Sequence, residues 1–332
     1  MQLVPENRPS NLLDLPEIRV LVARYLARSD CRSCMRVCHD WFRDFAPALW
    51  HTIDFSKDAT AFSSVSSDVL DKYAGFISQV INMSEVSHIK SLQHYKVDSI
   101  QTMKINLPNN WFYREMLSDL YLRCRGSIED LDISTNPSDP NTLENQRKWA
   151  SRRADLAPSH ANNTELMSDL LFHSFTSLKS CTLYAQNFAM STAFGLVIHQ
   201  ETLVSLTIKG EMKDNSSVKF LPLVVRLSRH LQFLSLESFV CDLEKVGRNL
   251  SESFGLQELR IRFKSLDAPQ DIDRCIQQVC DWRRSGNIPS IPPQHDDSIS
   301  TSCARVLILL KQLRTVWLGT KVYYLPPSPM TQ

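Results

Sequence analysis

One hexapeptide pattern, L-x-x-L-x-I/L, returns along most of this chain and restricts its fold more than any bulk property does. It begins at Ile100 (IQTMKI), Ile128 (IEDLDI), Leu178 (LKSCTL), Leu203 (LVSLTI), Leu231 (LQFLSL), Leu256 (LQELRI) and Leu313 (LRTVWL). Successive starts are 28, 50, 25, 28, 25 and 57 residues apart. Residues two apart in a strand share a face, so each hexapeptide reads as a short strand with one apolar side. Helix-like stretches lie between them. Trp111 to Cys124 carries Phe112, Met116, Leu120, Tyr121 and Cys124, and Val218 to Leu231 and Leu243 to Phe254 are shorter versions. A unit of one strand and one helix cannot bury its own apolar faces, so the units must stack on one another. The predicted fold class is α/β, with parallel strands on the concave face of a solenoid and helices on the convex face. The two long steps contain insertions or lost repeats.

A period of ~20–29 residues is that of leucine-rich repeats, and the array resembles an irregular member of that class. The asparagine that follows the strand in well-formed repeats is mostly missing, with Asn106, Asn136 and Asn187 as the candidates. Two stretches break the pattern. Residues 136–163 hold Pro137, Pro140 and Pro158 with Arg147, Lys148, Arg152 and Arg153, and residues 285–300 hold Pro289, Pro292 and Pro293. Both read as insertions, the first as a solvated basic loop.

The amino-terminal part is denser. Residues 12–53 contain 24 apolar side chains in 42 positions, against 43% for the whole chain. Asp14 and Glu17 have capping-box spacing, and Pro16 falls in a first turn where its missing N–H costs nothing. Ile18, Leu21, Val22, Tyr25 and Leu26 follow as an amphipathic stripe. Ser29 and Asp30 offer a second cap, followed by a second stripe of Cys34, Val37, Cys38, Trp41 and Phe45. A unit of about 40 residues with this much apolar surface needs a second wall, because small domains bury too little of themselves.

The run LLDLPEIRVLVARYLARSDCRSCMRVCHDWFRDFAPALWHTIDF resembles an F-box. The likeness rests on Leu15-Pro16-Glu17, Tyr25-Leu26, Asp30, Val37-Cys38 with Trp41, and Leu49-Trp50 with Ile53 and Phe55. Cys31 stands where that family usually has leucine. The resemblance implies three helices that dock on the Skp-type adaptor of a cullin-RING (SCF) ubiquitin ligase, with Leu15, Pro16, Ile18, Leu26, Val37 and Trp41 at or supporting the interface. It also implies that the transfer chemistry belongs to other subunits. This chain would supply proximity by holding a target protein near the charged carrier.

The expected organisation is a disordered 1–11, an F-box over 12–55, repeats over 56–325 and a disordered tail over 326–332. Residues 56–99 link the two, with Leu70, Tyr73, Phe76 and Ile77 suggesting a helix. The middle Leu of each repeat points inward, so its neighbours form a stripe on the concave surface: Asp130, Asp132, Tyr184, Lys209, Phe233, Ser235, Glu237, Glu258, Arg260, Arg262, Thr315 and Trp317. Aromatic and arginine side chains dominate interface energetics. Tyr184, Phe233, Glu237, Arg260, Arg262 and Trp317 are therefore the target-contact candidates.

Several classes are disfavoured. The net charge is +1, from 37 Lys and Arg against 36 Asp and Glu, which is not the clustered basic character of a nucleic-acid binder. The longest apolar run, Val306 to Leu310, is far short of the ~20 residues that span a membrane. Nine cysteines, an odd number set in apolar patterns, suit reduced thiols in the cytoplasm or nucleus. Cys31, Cys34, Cys38 and His39 resemble half of a zinc site, but on one helix they do not form the two separated pairs that structural zinc needs. Nucleophile-elbow, P-loop, dinucleotide and zincin motifs are absent, so no enzyme and no cofactor is expected.

Overall fold

The computed structural model describes residues 11–94, 97–106, 112–133, 175–184, 190–210, 221, 224–225, 227–239, 255–263, 269–286, 307, 312–318 and 321–327. The chain is mixed α/β and divides into two compact units, Met1–Met103 and Lys104–Gln332. The expected insertion at 136–163, most of that at 285–300, the helix expected at 243–254, and Asn136 and Asn187 fall outside the described residues.

The first unit opens with a short 3-10 turn, Leu12–Asp14. Asn11 Oδ1 accepts from Leu13 N and Asp14 Oδ2 accepts from Asn11 N, a reciprocal cap one turn earlier than the sequence spacing placed it. Helix α1 is Pro16–Ala23, with the proline at its first position. Helix α2 is Arg28–Cys34 and α3 is His39–Trp50. The second apolar stripe is thus not one helix: the chain turns over residues 35–37, and Cys38 is the N-cap of α3. Likewise Tyr25 and Leu26 lie beyond the end of α1, and Ala27 rather than Ser29 caps α2.

Three helices enclose a small core of Ala23, Cys31 and Phe45, with Leu26, Cys34, Met35, Trp41, Ala48 and Leu49 packed against it. Strand β1 (Thr52–Asp54) follows α3 directly, and then α4 (Phe55–Ser64), α5 (Ser67–Tyr73) and a 3-10 turn (Ala74–Phe76). β2 (Gln79–Met83) pairs parallel with β1, Ile53 opposite Val80. Helix α6 (Val86–His94) precedes β3 (Thr102–Ile105).

The second unit carries α7 (Phe112–Cys124), β4 (Asp130–Ile133), β5 (Ser180–Tyr184), α8 (Met190–Ile198), β6 (Ser205–Lys209) and β7 (Phe233–Phe239). β8 (Glu258–Phe263), α9 (Pro269–Ser285), β9 (Thr315–Leu318) and β10 (Lys321–Tyr324) complete it. Strands β4 to β9 pair parallel with their sequence neighbours, and β10 returns antiparallel on β9. That last strand, KVYY, has no L-x-x-L-x-L pattern and is not expected from sequence.

Backbone hydrogen bonds repeat in the same register. The residue just before a strand offers its carbonyl to two successive amides at the start of the next strand. Glu129 O accepts from Lys179 and Ser180, Lys179 O from Val204 and Ser205, and Val204 O from Gln232 and Phe233. Gln232 O then accepts from Gln257 and Glu258, and Gln257 O from Arg314 and Thr315. His51 and Ser78 make the same pair of bonds in the first unit, to Ser78 and Gln79 and to Gln101 and Thr102. The chain therefore holds earlier repeats than the leucine pattern reveals. Trp50-x-x-Ile53-x-Phe55 and Ile77-x-x-Val80 are units in what reads as a linker. The second escapes notice because Asn82 takes a left-handed turn (φ 58°), so that Met83, one residue late, fills the buried place.

Inside, the pattern does what its spacing dictates. Leu178, Leu203, Leu231, Leu256 and Leu313 are fully or nearly fully buried, as are Leu131, Cys181, Leu206, Leu234, Leu259 and Val316 on the strands. Each contributes about 1.5–3 kcal/mol by leaving water, less for the smaller ones. β4 pairs directly with β5, and β8 with β9, so the strands on either side of each long step are neighbours in the sheet. Turns stack as closely as strands do. A Cβ on Gly255 would lie 2.9 Å from Arg229 O and 3.2 Å from Leu231 O, backbone atoms of the preceding turn. Gly255→Ala is expected to cost about 1–3 kcal/mol in urea unfolding. Gly126→Ala, where a Cβ meets nothing within 4 Å, should shift the midpoint far less.

Candidate functional site

Two groups of side chains are candidates, one in each unit. In the first, five large apolar side chains within residues 12–37 face water: Leu12 (72% exposed), Val20 (40%), Leu21 (50%), Tyr25 (83%) and Val37 (62%). They are exposed because other residues fill the inward positions. On α1 those positions go to Ala23 and, unexpectedly, to Arg19, whose guanidinium pairs with Asp44 of α3 at 2.5 Å. Arg19 Nη1 also donates to Leu13 O at 2.8 Å, tying the first turn down. Burial pushes the Asp44 carboxyl up, but hydrogen bonds from Arg19 and Arg43 outweigh it and hold the group below the usual carboxylate range.

Of the residues expected at the adaptor interface, Pro16 and Val37 are exposed and Leu15 and Ile18 are half-buried. Leu26 and Trp41 pack against the internal cluster, with Trp41 stacked on Phe45 at 5.3 Å. Leu12, Val20, Leu21 and Tyr25 are also exposed and were not among the expected interface residues. Leu21 and Tyr25 belong to the predicted stripe, but a stripe shows which residues share a side, not which side is covered.

Another part of α3 is covered within the unit. Trp50 stacks on Tyr73 of α5 at 5.5 Å, and Phe42 meets the same ring edge-on at 6.2 Å. Arg28 donates to the carbonyls of Leu49 and Thr52 and pairs with Asp58 on α4. The helices are thereby fastened to the first strand and to the helices that follow it.

Cys31 and Cys34 lie on α2 while Cys38 lies past the turn, and the Cys31 thiol is pushed up by burial and by the nearby Cys34 and Asp30. It behaves as a small core hydrophobe. Among the described residues no group of three or more His, Cys, Asp or Glu is placed to hold a metal ion. Likewise, no described helix is long and apolar enough to cross a membrane.

In the second unit the sheet's outer face carries the predicted stripe in register. Asp132 lies opposite Thr182, then Thr207, Ser235, Arg260 and Trp317 on successive strands. Asp130, Ser180, Ser205, Phe233, Glu258 and Thr315 form the row beside it. Charge on this face is partly settled internally, because Lys209 Nζ donates to Asp132 Oδ2 at 2.9 Å across the intervening strand. Ser235 is almost wholly buried, which removes it from the exposed stripe.

Three of the target-contact candidates meet. The Arg260 guanidinium lies 4.3 Å from the centre of the Trp317 ring and 5.9 Å from that of Phe233. All three remain half-buried. Tyr184 stands opposite Lys209 in the strand register, and Glu237 and Arg262 lie on β7 and β8.

A scan of family models finds none that matches the chain, and a search of curated proteins finds no match.

Proposed function

We propose that this chain is a target-recognition subunit of an SCF-type ubiquitin ligase. Residues 12–55 act as an F-box that docks on the Skp-type adaptor, and an irregular leucine-rich-repeat array holds the target protein on its strand face. The chain is not itself an enzyme on this reading, and it works in the cytoplasm or nucleus. The observation that carries the proposal is the exposure of Leu12, Val20, Leu21, Tyr25 and Val37 on a three-helix unit that already has its own core. Five of the eleven exposed large apolar side chains among the described residues fall within this short stretch, a concentration that suits a surface a partner covers. The repeating two-amide register supports the array.

A second reading makes the helices a cap on the first repeat, and the Trp50–Tyr73 stack with the Arg28 bonds favours it. The two roles use different side chains. Truncation at residue 55 cannot separate them, because it also removes β1 (Thr52–Asp54) from its pairing with β2. Point changes on exposed residues can. Leu21→Ser with Tyr25→Ala is expected to weaken binding to a purified Skp-type adaptor by about 2–4 kcal/mol, roughly 30- to 1000-fold, with the melting temperature nearly unchanged. Titration calorimetry reads both variants directly. Unaltered affinity, or a wild-type chain that binds no such adaptor, leaves only the cap.

A further inference from the structure

We infer that Arg260 is the point at which the target presents a carboxylate, an aspartate or glutamate side chain or the target's own terminus. The inference rests on the reading of the strand face as the target-binding surface and specifies its chemistry. The Arg260 guanidinium lies over the rings of both Phe233 and Trp317, 5.9 and 4.3 Å from their centres. A planar cation packed on two rings has lost much of its side-chain freedom before any partner arrives, and its fork of terminal donors matches a two-pronged acceptor. No carboxylate within the described residues bonds to it, whereas Lys209 and Asp132 on the same face neutralise each other. Arg260 Nε and Trp317 Nε1 are both shut away from solvent and make no hydrogen bond in the chain. Buried N–H groups in that condition are uncommon, and two adjacent ones mark a cluster short of acceptors. Glu258 precedes Arg260 by two residues on β8 and Arg262 follows it by two, which leaves one net positive charge along that strand. A singly charged carboxylate suits that setting better than a phosphate dianion, which calls for more than one cation.

The test uses the full-length chain to select from a displayed library of random dodecapeptides, followed by fluorescence polarisation on the selected peptides. The selected peptides are expected to share one Asp or Glu, or to require a free C-terminus. Replacing that acid by its amide, or amidating the terminus, should weaken binding by about ten-fold or more, and Arg260→Lys should do the same because ammonium lacks the planar fork. In Arg260→Met the acid and amide peptides should bind alike, while circular dichroism stays that of the wild type. A consensus without an acid, or acid-dependent binding that survives Arg260→Met, overturns the inference, as does a library that yields no consensus. A phosphoserine peptide that binds more tightly than its glutamate counterpart also overturns it, in favour of phosphate. Binding that still falls with Phe233→Ala and Trp317→Ala would keep the strand face as the target site and remove only the carboxylate. Insensitivity to all three substitutions would remove the strand-face reading itself.

Discussion

Asp44→Ala is expected to destabilise the amino-terminal helices by about 3–5 kcal/mol, because it leaves a buried arginine without its counter-charge. The Arg19 and Asp44 side chains are only 5% and 6% exposed, so water cannot replace the lost carboxylate without opening α1 away from α3. The core they bracket, Ala23, Cys31 and Phe45, is too small to absorb such a loss. Unfolding of this unit should therefore separate from that of the rest of the chain in hydrogen exchange, with amides of α1 and α3 exchanging first. The same pair sets a pH dependence. The folded carboxyl titrates below its ordinary value, so its contribution is full above about pH 4 and is lost as the pH falls through the folded value. Stability of the wild type should fall more steeply than that of Asp44→Asn as the pH drops below about 4, because Asp44→Asn has no carboxylate to protonate. Equal slopes in acid unfolding would show that the pair contributes nothing. On the proposed reading, adaptor docking should weaken alongside, since Arg19 also fixes the turn at Leu13.

Arg283→Ala is expected to cost about 3–5 kcal/mol at the other end of the chain, from hydrogen bonds to a charged donor that each carry about 1.5–3 kcal/mol, less the desolvation of the cation. The residue sits on α9, is 2% exposed, and donates to the carbonyls of Leu313 at 2.5 Å, Leu307 at 3.3 Å and Pro326 at 3.0 Å. It joins the entry to β9 with the segment that leaves β10. Burial draws its pKa down to about 10, so the group stays charged at neutral pH and depends on those carbonyls for solvation. Lysine carries its three donors on one nitrogen and cannot span carbonyls that Nη1 and Nη2 reach separately, so Arg283→Lys should recover only part of the loss. The effect should be local, because stacked units exchange energy mainly with their neighbours. Amides of Thr315–Leu318 and Lys321–Tyr324 should lose hydrogen-exchange protection while those of β5 and β6 keep theirs. Uniform loss along the sheet would show instead that the second unit unfolds as a whole.

How much of this was legible in the sequence depends on the distance over which each feature is set. Seven strands announced themselves, because a strand's buried face is written in residues two apart and the helix between writes its own stripe. β1 and β2 did not, since Trp50 stood in the middle of another pattern and Asn82 broke the alternation. β10 did not either, for its partner is an antiparallel neighbour and its exposed side is aromatic. The candidate stripe on the strand face followed from alternation alone, and Phe233, Arg260 and Trp317 were among its members. That these three meet while Ser235, in the row of Arg260 and Trp317, is buried was set by the register of β7, β8 and β9. In the helices the error was of another kind. A stripe of Ile18, Leu21, Val22, Tyr25 and Leu26 did not show which of its members turn inward: Leu21 and Tyr25 face water, Leu26 packs on the core, and a charged residue faces in.

By itself the sequence determined the α/β class, the repeat period and the identity of the inward leucines, because these follow from local geometry and from the cost of leaving apolar side chains in water. Only the tertiary structure decided which charges are buried and which apolar residues are left over. The partner that allows Arg19 to point inward is Asp44, 25 residues away, and the rings that hold Arg260 come from two other strands. Contacts of that kind join residues that have no spacing in common, and spacing is all that a periodic pattern can record.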